Sequence, residues 1–196
     1  VVGLGGSAGA AGVPGGVKCP PITSSVTNND ARFAAVDVWV FGDSIMTRCT
    51  WASLNAGLNA NGKKGAFRTR SGASSDEMID AALAVGRRTG KQPAVIVWEL
   101  GANDSLRGRG VDDELNQLRA AYPRSRIIWV NTYRGNQLSE SERTNSLTVA
   151  GAPWVEVVDW AEWAPRHRSI LRPDLTHLQG DGFRPGSYTH LRAHET

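Results

Sequence analysis

No stretch of about 18 uninterrupted apolar residues occurs in the chain, so no segment reads as a membrane-spanning helix. A large excess of one charge is also missing. Lys and Arg number 22 against 19 Asp and Glu, a net charge of +3. There is no basic run and no interleaving of basic with aromatic residues, which excludes the usual nucleic-acid-binding surface. Cysteine is scarce: Cys19 and Cys49 form no C-x-x-C pair and are too few to make a zinc site alone. No internal repeat is present. What remains is a chain of 196 residues, 40% hydrophobic and 21% charged, which is a globular composition rather than a fibrous or disordered one. The length fits one domain.

Residues 1–35 are rich in Gly, Ala, Pro, Ser and Asn and carry no sustained period, so they read as a flexible lead-in. The Gly3–Gly9 stretch looks superficially like a dinucleotide-binding turn. It lacks a preceding strand, and Pro14 with Gly15 and Gly16 breaks any following helix, so it carries no such site. The small apolar residues Val1 to Ala11 fit either the end of a cleaved export signal or a linker. With an exported setting, secreted or in the cell envelope, a Cys19–Cys49 disulfide is expected; the alternative is two unrelated buried thiols.

From residue 36 the pattern changes. β-branched and aromatic runs at 36–41, 94–98, 126–130 and 155–158, with a weaker one at 66–69, predict strands. Helix-length segments lie between them at about 46–59, 75–88, 112–122 and 139–149. Acidic residues at 76–77 and 112–114 fall on first helical turns, where the helix dipole favours them. Alternating strand and helix predicts a parallel sheet with helices on both faces, and near-continuous apolar strands fit burial on both sides. Trp39, Trp98 and Trp129 then belong to the core. In such folds functional groups sit beyond the carboxyl ends of the strands.

Those loops carry the chemistry. Gly42-Asp43-Ser44 follows the first strand, so Ser44 lies at a strand-to-helix turn. There it is either a helix cap or a nucleophile whose own N–H meets the oxyanion that its attack creates. Gly72 follows the second strand, either as a plain turn or as a backbone donor. Asn103, in Gly101-Ala102-Asn103-Asp104, follows the third and is a turn former or an oxyanion donor. A serine nucleophile needs a base, and the base needs an orienting acceptor. Of the four histidines only His177 has an Asp three residues earlier, Asp174.

Taken in order, G-D-S, a glycine, G-x-N-D and D-x-x-H, the chain resembles the SGNH hydrolase superfamily, the GDSL-type esterases and lipases. The resemblance spans about 36–184. It departs mildly at Ile45, where the eponymous motif has Leu, and at residues 185–196, which lack the closing helix and read as a non-native tail. The resemblance implies an α/β fold, a three-layer α/β/α sandwich with a flavodoxin-like parallel sheet. It implies Ser44 as nucleophile, His177 as general base and Asp174 as its orienting partner. It also implies an oxyanion hole of the Ser44 and Gly72 N–H groups with the Asn103 side chain. No cofactor and no metal are implied.

The activity expected is a serine esterase acting through an acyl-enzyme on short-acyl or O-acetyl esters, of a small molecule or a glycan. The alternatives are transfer of the acyl group to a sugar hydroxyl by the same serine, and a non-catalytic glycan- or protein-binding domain on this fold. Trp160 and Trp163, before the D-x-x-H loop, serve packing, a lid or a sugar-stacking surface. Arg166-His167-Arg168 reads as a solvated face, or one that attracts an anionic substrate.

Overall fold

Alternation along the strands decides how this chain layers. Val38 and Val40 point to one face of the sheet while Trp39 and Phe41 point to the other, as period-2 backbone geometry requires. The computed structural model describes residues 25–103, 111–133, 135 and 154–178. Over these the elements are β1 (Ser25–Thr27), α1 (Asp30–Ala35), β2 (Val38–Gly42), α2 (Trp51–Ala60), β3 (Gly65–Arg70), α3 (Ser75–Thr89), β4 (Val95–Glu99), α4 (Val111–Ala121), β5 (Arg126–Val130), β6 (Val155–Val158) and α5 (Trp160–Trp163). A wide π-helical turn, Met46–Thr50, leads into α2, and a 3-10 segment, Ala164–Ile170, continues from α5.

The six strands form one sheet in the order β1-β3-β2-β4-β5-β6. All neighbours pair in parallel except β1, which runs antiparallel to β3 on the edge. The parallel α/β sheet expected from the alternation of elements, and the flavodoxin-like sandwich that the resemblance implies, are therefore what the chain adopts. On one face, α1, α3 and α4 cover Trp39, Phe41, Ile96, Trp98, Ile127 and Trp129, with Met78, Ile79, Val85, Leu115 and Leu118 packed between. On the other, Met46, Trp51, Leu54 and Leu58 cover Val38, Val40, Phe67 and Val97. Among the described residues no helix is long and apolar enough to cross a membrane.

Local chemistry explains where the helices start and stop. Ser74 caps α3 through a reciprocal capping box with Glu77, and Gly90 ends it in the left-handed conformation. The helix expected over 46–59 begins instead with the π-helical turn. There the Thr50 hydroxyl donates to Ile45 O at 2.7 Å and the Thr47 hydroxyl to Ser44 O at 3.0 Å, so threonine side chains satisfy carbonyls that a regular helix leaves to backbone donors.

The lead-in reading over 1–35 is corrected at its end. Residues 25–35 belong to the folded domain. Asn28 continues the pairing with β3: its N–H donates to Phe67 O at 2.9 Å, and its side-chain Oδ1 accepts the Phe67 N–H at 2.7 Å. Asn29 caps α1. Phe33, fully buried, packs edge-on against Trp39 at 5.3 Å and its carbonyl accepts the Trp39 indole N–H at 2.9 Å. The segment reads as a loop because its Ser and Asn residues favour turns and caps, and a three-residue strand carries no period. Phe33→Ala is expected to destabilise the protein by about 3–5 kcal/mol, the usual loss for a fully buried phenylalanine. Urea denaturation measures it; a loss under about 1 kcal/mol would return residues 25–35 to the lead-in. The Gly3–Gly9 turn, Cys19 and with it the Cys19–Cys49 pairing, the helix expected over 139–149 and the 185–196 tail lie outside the described residues.

Candidate active site

The chain reverses direction across the sheet at β2: it moves outward to β3, then returns to the other side of β2 with β4. Such a switch point leaves a crevice at the carboxyl ends of the strands. In register, Gly42 pairs with Thr69 of β3 on one side and Glu99 of β4 on the other. The loops after β3 and β4 therefore flank the turn after β2. This places Gly72 and Asn103 on the two sides of Ser44 by topology alone.

Asp43 ties these loops together. It is fully buried. Its Oδ1 accepts the Ile45 N–H at 2.8 Å, which closes the turn around Ser44, and its Oδ2 accepts from Asn103 Nδ2 at 3.2 Å. Asn103 Nδ2 also donates to Ala73 O at 3.1 Å, so one amide reaches both neighbouring loops. The Asp43 N–H in turn donates to Glu99 O at 3.2 Å and Glu99 Oε2 at 3.3 Å. Glu99 is 2% exposed. Neither carboxylate received a role from the sequence. The signal was there: each is an acidic residue at the end of an otherwise apolar strand, where burial needs a hydrogen-bonding reason. Gly72 sits between Ser71, whose hydroxyl is 3.4 Å from that of Thr47, and Ala73. Its φ of +74° is the left-handed conformation that glycine adopts readily.

Ser44, half-buried, meets the D-x-x-H loop. Its Oγ lies 2.8 Å from His177 Nε2, and His177 Nδ1 lies 2.9 Å from Asp174 Oδ2. The two partners are 133 residues apart in the chain. The other carboxylate oxygen, Asp174 Oδ1, accepts the N–H groups of Thr176 and His177 at 3.0 and 2.9 Å. Partial burial alone would push the Asp174 carboxyl up. The His177 N–H, the His177 ring and the Thr176 N–H outweigh it and hold the group down at about 2. The sign follows: this carboxylate stabilises the fold fully above the ordinary carboxylate range, and that contribution is lost as pH falls toward about 2. An ionised carboxylate only accepts hydrogen bonds, so His177 Nδ1 carries the proton and Nε2 is left to accept the Ser44 hydroxyl.

The D-x-x-H loop is anchored by a small apolar cluster of Tyr133, Ala164, Leu171 and Leu178. Leu171 and Leu178 bracket the loop as a single antiparallel bridge. Asn131 joins the end of β5 to α5, donating to Asp159 Oδ1 at 2.9 Å and accepting the Ala161 N–H at 2.8 Å. Trp163 stacks on Trp160 at 5.1 Å and on His167 at 3.7 Å. These neighbours, at i−3 and i+4, flank it along the helix. The ladder thus takes up the Trp163 faces with protein rings, which favours packing over sugar stacking at this residue. Arg166 is exposed and pairs with Glu162. Among the described residues, no three His, Cys, Asp or Glu side chains come together as a cation site.

No protein-family model matches the sequence, and no curated protein matches it. Solved structures match in fold. A family 3 carbohydrate esterase from Clostridium thermocellum superposes with a TM-score of 0.61 at 16% identity, covering 81% of this chain and 98% of its own. A lipolytic protein of the G-D-S-L family from Veillonella parvula gives 0.58 at 19% identity, covering 80% and 97%. A carbohydrate esterase family 3 structure from Talaromyces cellulolyticus gives 0.56 at 20% identity, covering 80% and 96%. The fold is thus one found in GDSL-type lipolytic proteins and carbohydrate esterases.

Proposed function

We propose that the protein is a serine ester hydrolase acting on short-acyl or O-acetyl esters, with carbohydrate esters as the preferred class. The observation that carries the reading is the hydrogen-bonded chain from Ser44 Oγ through His177 to Asp174, at 2.8 and 2.9 Å. A binding module has no use for a hydroxyl, an imidazole and an ionised carboxylate in that order. The fold shared with two carbohydrate esterases supports the substrate class.

In this reading Ser44 Oγ attacks the ester carbonyl while His177 Nε2 takes its proton. Negative charge gathers on the former carbonyl oxygen, stabilised by the Ser44 and Gly72 N–H groups and the Asn103 amide. His177 returns the proton to the leaving alcohol, and the C–O bond to the alcohol breaks. Water then attacks the acyl-serine carbonyl and gives its proton to His177; His177 passes that proton to Ser44 Oγ as the acyl C–Oγ bond breaks, and the acid leaves. Asp174 stays ionised throughout and stabilises the imidazolium that forms in each half.

Hydrolysis of p-nitrophenyl acetate, butyrate and octanoate, followed from acid to neutral pH, tests this. The acetate should be the best substrate. Turnover should rise once along an acid limb and then level. Asp174, held ionised down to about 2, adds no limb of its own in this range. Release of nitrophenol by none of the three esters sinks the reading, and acyl transfer to added sugar in preference to water would redirect it to an acyltransferase.

A further inference from the structure

The loop after β5 contributes to this site without sending it a reactive group. Gly135 donates its N–H to Leu175 O at 3.2 Å, and Leu175 is the first of the two residues between Asp174 and His177. Leu175 has a φ of +52°, a left-handed conformation that residues with a Cβ rarely adopt. Such a conformation persists only where its surroundings dictate it. Here the Leu175 N–H donates to Arg172 O at 2.8 Å, the Arg172 N–H to His177 O at 2.8 Å, and Gly135 takes the Leu175 carbonyl.

Gly135 also approaches too closely for any other residue. A Cβ built there would lie 2.3 Å from Leu175 Cβ, 2.9 Å from its Cδ1 and 3.1 Å from its Cγ. Rotating the leucine side chain relieves the last two contacts but not the first, since Cβ moves only with the main chain. Gly135 itself is not among the glycines with positive φ. Space, not backbone freedom, is what demands glycine.

We propose that Gly135 is a positioning residue for the ester-hydrolase site proposed above. Its bare main chain lets the β5 loop seat Leu175 in the left-handed conformation, and that seat fixes where Asp174 and His177 stand relative to Ser44. A side chain at 135 pushes the Leu175 main chain away and carries His177 out of line with Ser44. Misplacing a reacting group by about 1 Å costs about 10²-fold in rate.

The experiment is a double-mutant cycle of G135A and L175G. It is read by kcat and KM for p-nitrophenyl acetate and by the low-field proton NMR signal of the His177 Nδ1–H bond to Asp174. G135A alone should keep its fold and KM, lower kcat by roughly 10–10²-fold and shift that proton signal. L175G removes the obstructing Cβ, and glycine accepts the same φ. In the L175G background, G135A should therefore change kcat by less than about threefold, and the proton signal should be the same with and without it. A wild-type kcat for G135A overturns the proposal, as does an equal loss in both backgrounds. A G135A chain that no longer folds also overturns it, since the contact would then serve stability. The NMR comparison needs no turnover. If the wild-type protein hydrolysed no ester, the functional reading would fail while the signal still judged the Gly135–Leu175 contact.

Discussion

Ser44→Ala is expected to lower ester turnover by about 10⁶-fold, the scale seen when a covalent serine nucleophile is removed. The expectation rests on one atom. Ser44 Oγ is the group bonded to His177 Nε2 at 2.8 Å, and alanine has no hydroxyl to take its place. The fold should be kept. What the neighbouring Thr47 hydroxyl uses is the Ser44 carbonyl, which alanine also supplies, and the turn is closed by Asp43 on the Ile45 N–H. Residual activity from oxyanion stabilisation and binding should remain above the uncatalysed rate. Two measurements check this together: steady-state hydrolysis of p-nitrophenyl acetate with a thermal melt of the same sample, and mass spectrometry after treatment with a fluorophosphonate. The wild type should gain one adduct on Ser44 and the variant none. Near-wild-type turnover in a folded Ser44→Ala protein would falsify the nucleophile assignment.

Asn103→Ala is expected to lower turnover by roughly 10²–10³-fold, the loss typical of one oxyanion donor. At rest the Asn103 amide spans the crevice, with Nδ2 3.2 Å from Asp43 Oδ2 and 3.1 Å from Ala73 O. In the proposed mechanism a developing oxyanion, a stronger acceptor than the neutral Ala73 carbonyl, draws one of those hydrogens as charge builds. The gain therefore appears in the transition state rather than in substrate binding, so kcat should fall while KM holds. The pH profile should keep its shape, because the substitution removes no charged group. That separates Asn103 from His177, whose replacement by alanine would remove the proton acceptor and with it most of the activity. A raised KM with unchanged kcat would instead make Asn103 a substrate-binding residue and leave the oxyanion to the Ser44 and Gly72 main chain.

The parts legible in the sequence are those whose cause is local. β2 and β4 stand in the apolar runs because a parallel strand buried on both faces must be apolar along its length, while β5 and β6, nearer the edge, keep their apolar runs chiefly through the residues they turn to the core, Ile127, Trp129 and Val155. α3 starts after Ser74 because serine followed three residues later by glutamate satisfies the first turn. The D-x-x-H spacing was readable as well: an aspartate three residues before a histidine can reach both its main chain and its ring, and Asp174 does so with its two oxygens. Residues 25–35 were not legible as structure. β1 has only three residues, and what holds α1 is Phe33 against Trp39 and Asp30 paired with Arg88, 58 residues away.

By itself, then, the sequence determined the order of strands and helices from β2 to β5, the sheet edge that carries the reactive loops, and the residue types available there. Periodicity, caps and short motifs act over a few residues, and their physics is complete within that span. Tertiary structure decided what depends on which strands become neighbours. It set Gly72 and Asn103 on either side of Ser44 because β3 and β4 both pair with β2. It buried Asp43 and Glu99 behind the serine turn as hydrogen-bonded supports. It also brought Gly135 against Leu175, forty positions along the chain, where a missing Cβ matters only because another loop occupies its place. No local pattern carries that information, since the contact comes into being only when the sheet has placed both loops on the same edge.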